Sequence, residues 1–143
     1  DLPGDEATLL SFKGIGQYTA GAVMSFAFGK RAAILDTNVA RVLFRVFVGA
    51  GEPGSHQMTR HLWQVSEAMV PVRRVFDFNQ ALMDFGAMVC TARKPACGTC
   101  PFSRACRART LQAAPVQAST KCGSSCTICR HRRIASVHSP VCQ

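Results

Sequence analysis

The sequence has no acidic residue after Asp84, although the chain carries a formal net charge of +9. Residues 1–89 hold eight acidic and eight basic residues, whereas residues 90–143 hold nine basic residues and no acidic one. The whole excess of positive charge therefore lies in residues 90–143. Such a surface favours a polyanionic partner, most plausibly nucleic acid, and a basic surface that serves only solubility is the alternative.

Long apolar runs are also absent. No stretch approaches the roughly 20 residues that a membrane-spanning helix needs, and no secretory signal pattern is visible, so we expect no membrane partner. A strand-like alternation of polar and apolar residues is almost lacking. The 143 residues give room for one modest domain. Because the sequence begins at Asp1 without an initiator methionine, we expect an N-terminally truncated fragment.

The apolar residues recur at helical spacing, which predicts an all-α fold. The predicted helices begin near Asp5, Gln17, Asp36, Ser55 and Phe76. We divide the chain into residues 1–50, residues 51–109 and a tail over residues 110–143. In the tail, Ala, Ser, Thr, Gln and Pro replace the periodic apolar pattern, so we expect it to be disordered.

Four cysteines within 17 residues form the most specific motif. They are Cys90, Cys97, Cys100 and Cys106, spaced C-x6-C-x2-C-x5-C. Soft thiolate ligands select zinc, copper(I) or an iron–sulfur cluster. Structural zinc sites usually show two short knuckles, and this run has one C-x2-C pair, so the spacing favours iron–sulfur over zinc. A disulfide-linked loop of a secreted protein is a further alternative.

Four more cysteines lie in the tail, at Cys122, Cys126, Cys129 and Cys142. Their C-x3-C-x2-C run superficially matches the cluster motif of radical S-adenosylmethionine enzymes, but those enzymes need a barrel of parallel strands that this sequence does not predict. A zinc site with His131 or His138 is one alternative. We favour unpaired thiols or an out-of-frame translation.

A second motif places two glycines around one apolar residue between two predicted helices. Its residues are Lys13, Gly14, Ile15, Gly16 and Gln17. This pattern is typical of a helix-hairpin-helix, in which the glycines let the backbone approach a phosphate and Ile15 anchors the turn in the core. An ordinary corner between two helices is the alternative.

Asp36 stands directly before an apolar-periodic run, in the segment Leu35-Asp36-Thr37-Asn38-Val39. This position predicts a helix N-cap, the common role of an aspartate there. The two roles can coexist, so the same residue can serve as a helix cap and as a catalytic carboxylate.

Taken together, these motifs resemble the helix-hairpin-helix DNA glycosylases that carry an iron–sulfur cluster, and within them the adenine DNA glycosylase branch, the MutY family. The resemblance covers roughly residues 5–109, including F-N-Q-A-L-M-D-F-G-A-M-V-C before the cysteine run. Tyr18 stands where the endonuclease III-type enzymes carry a lysine nucleophile. Those enzymes also favour V-D-T-H, where this chain has Leu35-Asp36-Thr37-Asn38. Both differences indicate the adenine branch.

The resemblance implies a base-excision repair enzyme that hydrolyses the N-glycosidic bond of adenine mispaired with 8-oxoguanine or guanine. It implies that Asp36 stabilises or traps the sugar cation and that Tyr18 and Asn38 line the same site. It implies that residues 13–17 bind double-stranded DNA and that the four cysteines of the run hold a [4Fe–4S] cluster. The implied protein is a monomer in the bacterial cytoplasm, associated with the nucleoid.

The chain departs from the family pattern in three ways. The family's general acid, a glutamate in an E-x-M-L-Q-Q-T-type motif, would lie upstream of Asp1. The domain that helps to recognise 8-oxoguanine is replaced by the tail, and Lys13 stands where the family usually has proline. Two other functions therefore stay open: an endonuclease III-type glycosylase/lyase for oxidised pyrimidines, and a non-catalytic iron–sulfur module that binds DNA.

Overall fold

The computed structural model describes residues 2–113, so the predictions made for the tail beyond Ala113 lie outside the described residues. This part contains α1 (Glu6–Ser11), α2 (Gln17–Ala22), α3 (Thr37–Leu43), α4 (His56–Met69), α5 (Val75–Asp84) and α6 (Arg107–Ala113). Three helices continue as π-helical turns: α2 over Val23–Ala27, α3 over Phe44–Val48 and α5 over Phe85–Val89. The described residues contain no strand, and the predicted all-α class is confirmed.

Side-chain caps begin α1, α3 and α4, three of the helices whose starts the sequence predicts. The Asp5 carboxylate accepts a hydrogen bond from the Thr8 amide at 2.8 Å, and the Ser55 hydroxyl accepts one from the Met58 amide at 3.2 Å. The hydrogen bond from Thr8 holds the pKa of Asp5 below its ordinary value. These caps satisfy amide groups that the first turn of a helix leaves without partners.

The core lies around α3, which packs against α4, α5 and the continuation of α5. Its fully buried apolar side chains are Ile34, Val39, Leu43 and Leu62. A smaller cluster of Leu9, Ala20 and Met24 joins α1 to α2. Because α3 is enclosed on several sides, the residue that begins it, Asp36, has a fixed position in the fold.

A close backbone contact holds α2 against the segment that leads to α3. A Cβ atom at Gly21 would overlap the carbonyl oxygen of Ala33, so only glycine fits there. The buried side chain of Ser25 follows on the same helix. This packing places the hairpin and Asp36 in one compact unit.

The cysteine segment folds back onto the continuation of α3 through α6. At Gly49, where φ is +79°, a Cβ atom would lie 2.8 Å from the Ala108 amide nitrogen. The tail predicted to begin at residue 110 therefore starts inside α6, which extends to Ala113. None of the described helices has the length and apolar character needed to cross a bilayer.

Candidate active site and iron–sulfur segment

Asp36 is the N-cap of α3, and its half-buried carboxylate makes two hydrogen bonds. Oδ1 accepts from the Val39 amide at 2.7 Å, and Oδ2 accepts from the side-chain amide of Asn38 at 3.2 Å. The predicted cap is therefore present. Because each carboxylate oxygen has two lone pairs, both oxygens keep acceptor capacity for a further partner while the group stays in one orientation.

Asn38 is held in turn by Arg41, which lies one turn further along α3. Nη2 of Arg41 donates to Oδ1 of Asn38 at 2.8 Å and to the Gly86 carbonyl at 2.7 Å, and Nε donates to the Cys90 carbonyl at 2.8 Å. A continuous chain of hydrogen bonds therefore runs from the Asp36 carboxylate to the first cysteine of the motif.

Gly86 lets the continuation of α5 approach α3 closely at Asn38. A Cβ atom at Gly86 would lie 2.9 Å from the Cβ atom of Asn38 and 3.0 Å from its carbonyl oxygen. A larger residue would push the two elements apart. The glycine thus allows its own carbonyl to reach Arg41.

Asp36 lines a cavity of about 680 Å³ between the start of α3, α4 and the residues after Cys90. Arg41 and Trp63 also line it, and within the described residues its lining contains no second carboxylate. A cavity of this size lies in the range of small-molecule sites, roughly 300–1,000 Å³. It leaves space beside Asp36 for a nucleoside-sized group.

Tyr18 lies on α2, one turn before Gly21, and is 38% exposed. Within the described part of the chain it is absent from the lining of the Asp36 cavity, and no hydrogen bond joins its hydroxyl to Asp36. The structure therefore brings Asn38, but not Tyr18, into contact with the carboxylate. The role of Tyr18 stays a prediction.

The hairpin at residues 13–17 exposes its backbone to solvent. Gly14 has a φ of +92°, and Gly16, which has no side chain, occupies the N-cap position of α2. A Cβ atom at either glycine would meet nothing within 4 Å, and the side chains of Lys13 and Gln17 are exposed. The turn can therefore be approached closely from solvent.

Ile15 anchors this turn. Its half-buried side chain packs against the cluster that contains Leu9 and Ala20, and its amide donates to the Phe12 carbonyl at 3.1 Å. The turn thus has an apolar attachment on one side and open backbone on the other. This geometry agrees with a helix-hairpin-helix.

The four cysteines of the run stand around one cavity of about 510 Å³. All four are free thiols, so no disulfide joins them; Cys97 is exposed and the others are partly buried. In the described part of the chain, no three His, Cys, Asp or Glu side chains are placed to hold a single ion. Four thiols around a wide space suit a polynuclear cluster better than one zinc ion, so the residues fit an iron–sulfur cluster.

Arg45 holds the chain at and after Cys90. Nη1 donates to the Thr91 carbonyl at 2.7 Å and lies 3.3 Å from the carbonyl oxygen and 3.5 Å from Sγ of Cys90. Nη2 donates to the Ala92 carbonyl at 3.0 Å. The carbonyl oxygen of Arg45 lies 3.3 Å from Sγ of Cys106. One residue therefore contacts the first and the last cysteine of the run.

Sequence reasoning missed Arg41 and Arg45 as residues of the site. The available signal is their spacing, because two arginines four residues apart lie on one face of a helix that is apolar at every other position after Asn38. Their partners at residues 86–92 are 45 or more positions away in the chain. The signal alone does not identify those partners.

Residues 90–106 match the family described as the iron–sulfur binding domain of endonuclease III. The match begins at the first cysteine of the run and ends at the last. It confirms the predicted cofactor, a [4Fe–4S] cluster. The assignment of each of the four thiols as a ligand remains a prediction.

Curated relatives match most of the described chain. The chain is 43% identical over 110 residues to an adenine DNA glycosylase of Arabidopsis thaliana, which covers 77% of this chain and 18% of the relative. It is 47% identical over 96 residues to the adenine DNA glycosylase of Homo sapiens, covering 67% and 18%. It is also 42% identical over 105 residues to a thymine/uracil-DNA glycosylase of Methanothermobacter thermautotrophicus, covering 73% and 47%. The chain thus spans less than half the length of these relatives.

Solved structures share the fold. A thermostable thymine-DNA glycosylase matches with a TM-score of 0.70 and 39% identity over 77% of this chain and 50% of that one. A non-covalent endonuclease III–DNA complex matches with a TM-score of 0.63 and 29% identity over 78% of this chain and 50% of that one. With the hairpin, the capped aspartate and the cysteine run in the same order, the chain belongs to the helix-hairpin-helix, iron–sulfur DNA glycosylases and is a MutY-like member of them.

Proposed function

We propose that this chain carries the catalytic carboxylate, the DNA-binding hairpin and the cluster segment of an adenine DNA glycosylase. The enzyme would hydrolyse the N-glycosidic bond of adenine mispaired with 8-oxoguanine or guanine in double-stranded DNA. One observation carries the proposal: the Asp36 carboxylate is oriented by Val39 and Asn38 beside a cavity of ligand size. The relatives named as adenine DNA glycosylases support the choice of base.

Asp36 acts on the charge that develops as the bond to adenine breaks. Departure of the base leaves positive charge on the deoxyribose, and an ionised carboxylate beside the sugar stabilises that charge or bonds to the anomeric carbon until water replaces it. Both oxygens of Asp36 are held in place and both can still accept. The carboxylate therefore needs no reorganisation during the reaction.

Protonation of the leaving adenine needs an acid besides Asp36. Within the described residues, the cavity at Asp36 has no second carboxylate in its lining. We assign this proton to the glutamate that the family resemblance places upstream of Asp1. Asn38 completes the proposed site by orienting Asp36, and the family resemblance assigns Tyr18 to the same site.

Residues 13–17 bind the DNA backbone while the adenine is flipped out of the stack. The exposed backbone at Gly14 and Gly16 can approach a phosphate, and Lys13 adds a positive charge beside it. Contacts of this kind position the protein on DNA of any sequence. They also make binding sensitive to salt.

The four cysteines of the run, which line one cavity, would hold the [4Fe–4S] cluster. The cluster, when bound, ties residues 90–106 into one rigid unit, because metal binding of this kind is coupled to folding. Arg93 and Arg109 line the same cavity and belong to the basic part of the chain. We expect the protein to act on chromosomal DNA as a monomer and, in a bacterium, to work in the cytoplasm at the nucleoid.

A second candidate function is excision of thymine or uracil. It is favoured by the 42% identity to a thymine/uracil-DNA glycosylase and by the fold shared with a thymine-DNA glycosylase. A glycosylase/lyase for oxidised pyrimidines is disfavoured because Tyr18, rather than lysine, stands at the nucleophile position. The three activities differ in the base removed and in whether a Schiff base forms.

A comparison of substrates tests the proposal. The intact protein would be assayed in single-turnover conditions on duplexes with A·8-oxoguanine, A·G, T·G, U·G and an oxidised pyrimidine, with borohydride added in parallel. We expect release of adenine from the first two and no borohydride cross-link. Release of thymine or uracil alone would favour the second candidate, and a cross-link would identify a lyase. DNA binding without excision would indicate a non-catalytic module.

A further inference from the structure

We propose that Arg45 positions Cys90 as a cluster ligand and raises the reduction potential of the bound cluster. This inference rests on the proposed ligand set, in which Cys90 is one of four thiolates. It concerns the surroundings of the cluster rather than the base that is excised. It is based on the contacts of the Arg45 guanidinium group with the carbonyl oxygens of residues 90–92 and with Sγ of Cys90.

Arg45 replaces the hydrogen bonds that the chain loses where it leaves α5. Cys90 ends the π-helical continuation with φ −89° and ψ 49°, and the carbonyls of Cys90, Thr91 and Ala92 all point to the guanidinium. Carbonyls beyond the end of a helix need other donors. A planar group with five donors in a fixed geometry can supply them together. The direction of the first thiol is therefore set from α3.

The contact to sulfur has an electrostatic consequence. Nη1 of Arg45 lies 3.5 Å from Sγ of Cys90. Once Cys90 is a thiolate, this contact is a charge-assisted hydrogen bond to a cluster ligand. The reduced cluster carries one more negative charge than the oxidised one, so a cationic donor stabilises it more. Hydrogen bonds to the sulfurs and net charge are among the terms that set cluster potentials.

Arg45 differs from its neighbour Arg41 in this respect. Arg41 donates to the carbonyl of Cys90, and its other partners are Asn38 and Gly86, so none of its contacts is to the sulfur. Arg93 and Arg109 line the same cavity, and in the described residues neither donates to a thiol. The sulfur contact singles out Arg45.

The test compares variants of the intact protein purified without oxygen. Arg45→Met removes the charge and every donor. Arg45→Lys keeps the charge, but its single ammonium group cannot donate to three carbonyls and a sulfur at once. Arg60→Met, on α4, is the matched control because its one side-chain hydrogen bond is to His56. Iron content and the one-electron midpoint potential, measured at an electrode, are the readouts. A merely structural role would not move the potential.

We expect Arg45→Met to lower both the iron content and the midpoint potential, Arg45→Lys to give an intermediate potential, and Arg60→Met to match wild type. If Arg45→Met holds no cluster, the proposal is tested by comparing the midpoint potential of Arg45→Lys with that of wild type. Wild-type iron content and potential in Arg45→Met, or a wild-type potential in Arg45→Lys, would overturn the proposal.

Cys90→Ala separates this result from the ligand assignment. Loss of iron in Cys90→Ala with an unchanged potential in the Arg45 variants would reject the role of Arg45 alone. A full cluster in Cys90→Ala would instead show that Cys90 is not a ligand, and the proposal would fall with that assignment.

Discussion

Nε of Arg41 lies 2.8 Å from the carbonyl oxygen of Cys90, so the helix that begins at Asp36 is tied directly to the first cysteine of the cluster segment. The same side chain donates to Asn38, which in turn donates to Asp36. One guanidinium group therefore links the orientation of the Asp36 carboxylate to the position of Cys90. A displacement of Cys90 can therefore change the orientation of Asp36 through Arg41 and Asn38.

Replacing Arg41 tests this link. Arg41→Met removes the Arg41 donor from the Asn38 oxygen and the Gly86 carbonyl, and it leaves the Cys90 carbonyl with the longer contact to Nη1 of Arg45. Hydrogen bonds of charged groups contribute about 1.5–3 kcal/mol each, so we expect a free energy of unfolding lower by at least this amount. Arg41 no longer holds Asn38, and Asn38 orients the Asp36 carboxylate. We therefore also expect slower base excision with little change in DNA affinity. Arg41→Lys should recover only part of the rate.

Denaturant unfolding and single-turnover excision measure these two effects of Arg41→Met. Arg60→Met serves again as the control, since it removes an exposed arginine with one side-chain partner. A wild-type excision rate in a folded Arg41→Met protein would show that Asp36 is oriented without this chain of contacts.

Replacing the two hairpin glycines with alanine should have different effects on stability. Gly16 has an ordinary backbone conformation with open space around it, so Gly16→Ala should lose only the small difference in capping between glycine and alanine and yet bind every duplex more weakly. Gly14 has a φ of +92°, so Gly14→Ala should also lose about 1–2 kcal/mol of stability. Gly51→Ala, at a φ of +105° in another loop, controls for that strain.

Fluorescence anisotropy on matched and mismatched duplexes measures the binding. Lys13→Ala should reduce the slope of log K against log salt by up to about 0.9, the value for one phosphate contact. If Gly16→Ala and Gly14→Ala both bind DNA with wild-type affinity, the hairpin is only a structural turn and does not contact the DNA.

The cysteine run predicts the metal content. Protein purified without oxygen should be brown and hold about four irons per chain, the number in a cubane cluster. Cys97→Ser and Cys100→Ser should lose the cluster and destabilise residues 76–109, because metal binding and folding are coupled there. Thr99→Ser, which changes one of the two residues between them but no thiol, should keep the cluster. Elemental analysis that finds one zinc and no iron would exclude the cluster.

Local chemistry explains which parts of the site can be predicted from the sequence. The caps at Asp5, Asp36 and Ser55 each involve a side chain and an amide three residues later, so a short segment contains both partners. The hairpin is equally local, since its two glycines and Ile15 are consecutive. The helical class follows from apolar spacing alone.

The remaining features depend on packing between distant segments. The contact of Arg41 with Gly86 needs α5 to lie close to α3, which the sequence does not specify by itself. The docking of α6 depends on the space at Gly49 and carries helical order to Ala113, past the predicted start of the tail. The π-helical turns also escape prediction, because one extra residue in a turn barely changes the apolar pattern.

Two aspartates in this chain do the same structural work, and only one of them is proposed to be catalytic. Asp5 and Asp36 each cap a helix by accepting from an amide three residues later. Asparagine caps about as well as aspartate, so Asp5→Asn and Asp36→Asn should both fold and bind DNA. Only Asp36→Asn removes the negative charge beside the cavity, and a group of this kind is typically worth roughly 10²–10³ in rate.

The measurement is single-turnover release of adenine from an A·8-oxoguanine duplex by the intact protein and these two variants. We expect Asp5→Asn to match wild type and Asp36→Asn to be slower by about 10²–10³ while it keeps its fold and its affinity for DNA. Wild-type excision by Asp36→Asn would show that Asp36 is only a helix cap and would contradict its assignment as the catalytic residue.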